Sequence, residues 1–296
     1  MNSMPSLSRK FTVAVIAPAS PPSLSGLDTG IATLKAWGMD VLEGRHLRKQ
    51  FSHHAMSVAE RTEDLIWALT APEVDVVWLA RGGYGCMQCL PFLPAELPTD
   101  RIVIGFSDAT SLFGALSQRG YRNLIHGPMV AFLADETDEL SKSALLALLN
   151  GQARPHLVGE HLCGPQSEIT APLVGGNLAV LASLAGTPWI HSTKGAIVLL
   201  EDIAEHAYRM DRTITQLANS GFFDGVKGIA LGEFIRCILP RDATFTLDEM
   251  FRNLFAPLNV PVIKDVGVGH GTRNIAWKMG EQVTLRDGSL HFAREE

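Results

Sequence analysis

The sequence is short of the residues that define several large protein classes. Four cysteines in 296 residues are too few for a disulfide scaffold, which points to a reducing, cytoplasmic setting. Cys86 and Cys89 form a CxxC, but Cys163 and Cys237 stand apart from each other. A structural zinc site needs a second close pair, so all four are read as ordinary thiols and no metal is expected. Long hydrophobic runs are also missing. The stretches Phe11 to Pro18 and Ala196 to Leu200 fall well short of the roughly 20 residues that cross a bilayer. Arg9 and Lys10 precede the first of them as in a signal peptide, yet that stretch has the length of a strand; a protein that is neither secreted nor membrane-bound is expected. Positive charge is in deficit, with 25 Lys plus Arg against 31 Asp plus Glu and a net charge of −6. No field exists to hold a nucleic acid against salt screening, so none is expected as partner.

What is present is a well-supplied core. Hydrophobic residues make up 46% of the chain, and the length suits two domains. In the first half, strand-like runs at Phe11–Ala17, Asp40–Leu42, Val74–Ala80 and Arg101–Phe106 alternate with helical spacings such as Leu27, Ile31, Leu34 and Trp37. Ser57 and Glu60 form a capping box before a helix carrying Ile66 and Leu69 inward. Strands alternating with helices over short connections predict an α/β fold with a doubly wound parallel sheet over residues 1–150. Residues 151–166 lack periodicity and read as a linker. Residues 167–296 then mix β/α units with antiparallel strands: helices over Asn177–Ala185, Tyr208–Asn219 and Leu247–Leu254, strands over Ala196–Leu200, Gly228–Glu233 and Val262–Val266, and a hairpin about Asp287-Gly288.

In open parallel sheets, functional groups gather beyond the carboxyl ends of the strands. Ser107 follows the apolar run Ile102–Phe106 and precedes a helix opened by Asp108. A sharp strand-to-helix turn exposes a hydroxyl and aims helix amides at one spot, which suits a nucleophile. The same position also suits a helix cap, and spacing alone slightly favours that reading. Arg81-Gly-Gly-Tyr-Gly85 ends the neighbouring strand; its glycines permit close backbone approach to a ligand or simply make a tight turn. Neither a dinucleotide fingerprint nor a Walker lysine is present, so no cofactor is expected. Glu201 ends the strand Ala196–Leu200, and His270 lies between Gly269 and Gly271 after another strand. A serine, a histidine and a carboxylate at three strand ends make a possible triad. Successive strand residues face opposite ways, so only one of Glu201 and Asp202 serves it.

Seven motifs in order carry a resemblance over nearly the whole chain: Val15-Ile-Ala-Pro-Ala-Ser-Pro21, Arg81-Gly-Gly-Tyr-Gly85, Ile104-Gly-Phe-Ser-Asp108, His126-Gly-Pro-Met129, Gly175-Gly-Asn-Leu178, Leu200-Glu-Asp-Ile203 with Tyr208-Arg209, and Gly269-His-Gly271. The sequence resembles the LD-carboxypeptidases, serine peptidases that trim the terminal D-alanine from murein tetrapeptides in peptidoglycan recycling. The resemblance implies Ser107 as nucleophile, Glu201 as triad carboxylate, His270 as general base, and an oxyanion hole from the amides of Gly83 and Asp108. It implies a C-terminal swivelling β/α domain, a murein peptide as partner and a homodimer. Arg81, Gly82 and Tyr84 fall where substrate is met, and Arg81 or Arg209 could recognise a terminal carboxylate. Two other readings stand beside it: a microcin self-immunity peptidase of the same family, which cuts a peptidyl nucleotide, and a non-catalytic two-domain protein closing on a small anion.

Overall fold

The computed structural model describes residues 7–50 and 56–293. They form two compact units: the first holds the described residues up to Ala153 together with Ala276–Lys278, and the second holds Arg154–Ile275 and the described residues from Met279 on. In the first, strands β1 (Thr12–Ile16), β2 (Asp40–Glu43), β3 (Val76–Leu79), β4 (Ile102–Gly105) and β5 (Leu124–His126) alternate with helices α1 (Leu24–Ala36), α2 (Val58–Thr70), α3 (Cys86–Cys89) and α4 (Ala109–Gln118), and α5 (Glu139–Leu149) follows. The five strands are parallel in the order β5-β4-β3-β1-β2. The inner strands β1, β3 and β4 read as nearly unbroken apolar runs because helices shield them from water, whereas the edge strand β2 is only partly buried. Val13, Val15, Val76, Trp78 and Ile104 share one buried cluster with Leu27, Ile31 and Leu34 of α1. The helices start where capping chemistry starts them. Ser23 accepts the Gly26 amide at α1, and Ser57 and Glu60 cap α2 reciprocally.

The order of these strands sets the position of the site. The chain leaves β1 toward one edge of the sheet and leaves β3 toward the other, so the carboxyl ends of these two adjacent strands are the topological switch point of the sheet. Residues 17–22 follow β1, residues 80–85 follow β3, and residues 106–108 follow β4 next door.

In the second unit, β8 (Ile169–Asn177), β9 (Ile197–Ile203), β10 (Gly228–Ile235) and β11 (Val262–Lys264) run parallel, joined through α6 (Leu178–Leu184), α7 (Ala207–Asn219) and α8 (Leu247–Phe255). Antiparallel strands flank this core: β7 (Glu160–Cys163) pairs with β11, β13 (Gln282–Arg286) with β8, β14 (Ser289–Phe292) with β13, and β6 (Leu157–Val158) with β14. The Asp287-Gly288 hairpin is present, with both residues at positive φ.

Three features depart from the sequence reading. Residues 157–163, inside the supposed linker, hold β6 and β7, which are too short for alternation to show. Strand β8 went unread because Pro172, Gly175 and Gly176 interrupt its apolar pattern, and Asn177 caps α6 without belonging to it. Residues 276–278 leave the C-terminal half of the sequence to join the first unit, where β12 (Trp277–Lys278) pairs antiparallel with β5. Trp277 thereby stacks on the buried His126 with ring centroids 5.3 Å apart.

Candidate active site

Ser107 has a left-handed backbone, with φ at 61°. That conformation costs a residue with a side chain on the order of 1–3 kcal/mol and persists only where its surroundings impose it. A capping serine typically sits in extended geometry, whereas Ser107 is left-handed and the residue that caps α4 is Asp108, right-handed and without a side-chain cap bond; the capping role open to Ser107 in the sequence is therefore not the one it plays. The turn leaves Ser107 half-buried, in front of a fully covered helix start. Gly82 packs directly on it. A Cβ at Gly82 would stand 2.9 Å from Ser107 Cβ and 3.1 Å from its Oγ, so only glycine allows the β3 loop to come this close.

The β1 loop orients the β3 loop. Ser20 donates its amide to the Gly82 carbonyl at 3.1 Å, and its hydroxyl accepts the Tyr84 amide at 3.2 Å. With its carbonyl taken by Ser20, the Gly82–Gly83 peptide directs the Gly83 N–H the other way. Gly83 is exposed at a φ of 101°. Asp108 is buried, and its carboxylate accepts the Cys86 amide at 2.7 Å. Burial raises the Asp108 pKa, against that hydrogen bond and the nearby positive charge of Arg61. The Cys86 and Cys89 thiols are buried and pushed up by desolvation, the opposite of the lowered pKa of a reactive thiol. Arg81 and Tyr84 are exposed beside this loop, and Arg81 donates to the Pro21 carbonyl at 2.8 Å.

In the second unit, Glu201 and His270 come together. Glu201 is wholly buried on β9, and its Oε2 accepts from His270 Nδ1 at 2.6 Å. Its Oε1 has no hydrogen-bond partner among the described residues, so the imidazole is what offsets the buried charge. Donation from Nδ1 leaves Nε2 of the neutral ring as the acceptor. Burial opposes charge on His270, but the hydrogen bond and charge of Glu201, helped by Asp202, outweigh it, and the pKa stands above the ordinary imidazole value. Asp202 points to the other face of β9, as alternation requires. It accepts from Asn177 Nδ2 at 3.0 Å and from the Ala179 and Ile203 amides, tying α6 to β9. Burial holds its pKa up at about 6.

The first unit thus gathers Ser107, Gly82, Gly83 and the Asp108 amide, with Arg81 and Tyr84 beside them, and the second gathers Glu201 and His270. Arg209 is exposed on α7, 3.3 Å from the Tyr208 hydroxyl and 4.0 Å from Glu205, and braces its own helix. Two residues escaped the sequence reading. Glu233 accepts the Gly271 amide at 2.8 Å and so holds the loop that carries His270. Arg61 is completely buried and bonds the Pro18 and Gly85 carbonyls. Its signal was available: Arg61, Leu65 and Ala68 share one apolar helix face. Among the described residues there is no cluster of three or more His, Cys, Asp or Glu able to hold a metal, and no helix long and apolar enough to cross a membrane.

Comparison with known proteins matches residues 13–127 to the LD-carboxypeptidase N-terminal domain and residues 170–285 to the LD-carboxypeptidase C-terminal domain. The murein tetrapeptide carboxypeptidase of Pseudomonas aeruginosa is 34% identical over 293 residues, covering 95% of this chain and 94% of that protein. The crystal structure of muramoyltetrapeptide carboxypeptidase from Oxalobacter formigenes superimposes with a TM-score of 0.84 at 28% identity, covering 94% of this chain and 97% of that one. The microcin C7 self immunity protein MccF in its wild-type apo state reaches the same TM-score of 0.84 at 17% identity, covering 96% of each chain, and shares the fold.

Proposed function

Because the chain belongs to the LD-carboxypeptidase family, we propose that it is a serine-type enzyme removing the terminal D-alanine of murein tetrapeptides. The observation that carries the catalytic reading is the left-handed Ser107 at the carboxyl end of β4, pressed against Gly82. Nothing in ordinary helix capping calls for that conformation, whereas a nucleophile held clear of its helix does. The substrate reading rests on the relatives from Pseudomonas aeruginosa and Oxalobacter formigenes.

In this reading Ser107 Oγ attacks the carbonyl carbon between the L-configured centre and D-alanine while His270 Nε2 takes its proton. Glu201 keeps the other ring nitrogen protonated and stabilises the imidazolium. The amides of Gly83 and Asp108 hold the oxyanion. Collapse of the tetrahedral adduct breaks the C–N bond, and His270 returns the proton to the leaving amine. Water, deprotonated by the same imidazole, then cleaves the acyl-enzyme. Recognition of a terminal residue requires donors for its carboxylate, and Arg81 is the exposed cation beside the Gly82–Gly83 turn.

Incubation with a murein tetrapeptide should release free D-alanine. Amidating the terminal carboxylate should weaken binding by about 1–3 kcal/mol or more and cut turnover steeply, and L-alanine in the same place should not be released. Equal cleavage of amidated and free peptides would refute the carboxypeptidase assignment. Turnover of a peptidyl nucleotide in place of the tetrapeptide would move the chain to the immunity branch, and binding without turnover of either would leave a ligand-binding protein.

A further inference from the structure

Arg61 lies on α2, outside every motif that pointed to the site, yet its side chain is 0% exposed. A fully buried guanidinium is costly unless its N–H groups are satisfied and its charge is offset. Here Nη1 donates to the Pro18 and Gly85 carbonyls at 2.7 Å each, Nη2 to Gln88 Oε1 at 2.6 Å, and Nε to the Met56 carbonyl at 3.2 Å. No carboxylate forms an ion pair with it among the described residues; Asp108 senses its charge from a distance. The arrangement is an unusual expense for holding one helix to a sheet, and its partners explain it. Pro18 belongs to the loop after β1 and Gly85 to the loop after β3, so a single nitrogen fixes the spacing of the two loops whose Ser20–Gly82 bond orients the Gly83 amide.

The second part of the arrangement concerns one peptide unit. The Gly85 carbonyl and the Cys86 N–H belong to the same peptide. Its oxygen meets the Arg61 guanidinium, and its N–H meets the Asp108 carboxylate at 2.7 Å. Each end of the peptide dipole thus faces the charge that favours it. Gly85 has a φ of 138°, and a glycine offers little resistance of its own to rotation of the following peptide. The Gly85 oxygen also accepts the Gln88 amide at 3.0 Å, and the two charges add to that local bond in holding the Gly85–Cys86 peptide against a flip. Asp108 completes the circuit, since its side chain grips Cys86 while its own amide is the second donor assigned to the oxyanion.

We infer that Arg61 and the Asp108 side chain form a charge clamp on the Gly85–Cys86 peptide, and that Arg61 is a positioning residue which preorganises the Gly83 and Asp108 amides for the oxyanion. The inference rests on the serine acyl-transfer reading above but not on the identity of the peptide cut. Preorganised donors act on the transition state far more than on the ground state, so the clamp should affect the reactivity of Ser107 and leave binding of unreactive ligands alone.

The test is the rate at which a fluorophosphonate labels Ser107, followed by intact-protein mass spectrometry, in the full chain and in Arg61→Lys and Asp108→Asn. Lysine keeps the charge but has too few donors in one plane to hold both loops; asparagine keeps the shape and loses the charge. Arg61→Lys should label about 30–100-fold more slowly, Asp108→Asn about 10-fold more slowly, and the double variant little worse than Arg61→Lys, because the two act as one unit. Affinity for the tripeptide product should stay within about threefold of the parent, a result that general loosening would not give. If Arg61→Lys fails to fold, Asp108→Asn carries the test alone. Labelling at the parental rate in either folded variant, or an equal loss of labelling and product affinity, would overturn the clamp. A parent chain labelled at Ser107 that releases no D-alanine would refute the substrate reading and leave the clamp standing. A parent chain not labelled at Ser107 at all would refute both.

Discussion

In the first unit the proposed nucleophile and its donors are placed by backbone conformation, whereas in the second the imidazole and carboxylate are placed by side-chain packing. Ser107 sits at φ 61°, Gly83 at 101° and Gly85 at 138°, and the groups of interest there are a hydroxyl and two amides. Glu201 and His270 owe their meeting to strand alternation on β9 and to a single 2.6 Å hydrogen bond. Backbone-built sites fail when a side chain is added, because there is no room for it. Side-chain-built sites fail when a charge is removed, because its partner is left buried alone. The two regions should therefore respond to different kinds of substitution.

The largest effect should come from Ser107→Ala, which deletes the attacking atom and should lower D-alanine release by roughly 10⁴–10⁶-fold, with His270→Ala adding little on top. Steady-state assays of the single and double variants measure this; independent, multiplying losses would break the idea of one catalytic unit. Next is Glu201→Gln, for which a loss of roughly 10³–10⁴-fold in kcat is expected. Its pH profile sharpens the comparison. In the parent, His270 must be deprotonated to act, and its pKa is raised, so activity should climb with pH through a value above the ordinary 6.5. Glutamine removes the larger charge that raises it and leaves only Asp202 to oppose burial, so the acid limb should move to lower pH even as the plateau falls.

A smaller loss, of about 10²-fold in kcat, is expected for Gly82→Ala, since the added methyl must displace Ser107 by a fraction of an ångström. The thermal midpoint and product affinity should change little. If Gly82→Ala were fully active, the close contact between the β3 loop and Ser107 would have no catalytic meaning. The smallest effect lies away from the chemistry. His191, packed edge-on against Phe222, is buried with no hydrogen-bond partner for either ring nitrogen among the described residues, and burial holds its pKa down at about 4. The unfolded chain takes up the proton near 6.5, so the folded state loses stability as pH falls from about 6.5 toward 4, by about 2 kcal/mol at pH 5. Urea unfolding of His191→Leu at pH 8 and pH 5 should show that this part of the acid loss has gone, with His270 and Asp202 untouched.

Much of this arrangement was legible beforehand, and the reasons are local. The apolar runs of β1, β3, β4, β9 and β10, the caps at Ser57 and the Asp287-Gly288 hairpin are all set by near neighbours in the chain. That only one of Glu201 and Asp202 could serve the triad needed only the period of a strand. What was missed shares one property, that its cause lies far away in sequence. Strand β12 contains two residues and exists because β5 offers it an edge. Strands β6 and β7 depend on partners more than 90 residues further along. Arg61 looked like one more charge on a helix, although its place on the apolar face of α2 was a sign that something polar waited inside.

The strand and helix alternation, the parallel sheet of the first unit and the residue types available for acyl transfer follow from the order of residues alone, because each rests on periodicity and on which side chains carry reactive atoms. Long-range packing is what makes Ser107 left-handed and not a cap, turns Glu201 and not Asp202 to the imidazole at 2.6 Å, and brings Arg61 and Asp108 to the two ends of one peptide. A backbone angle, a hydrogen bond across 69 residues and the direction of a single amide are properties of packing. They appear only when distant segments have come together and excluded water between them.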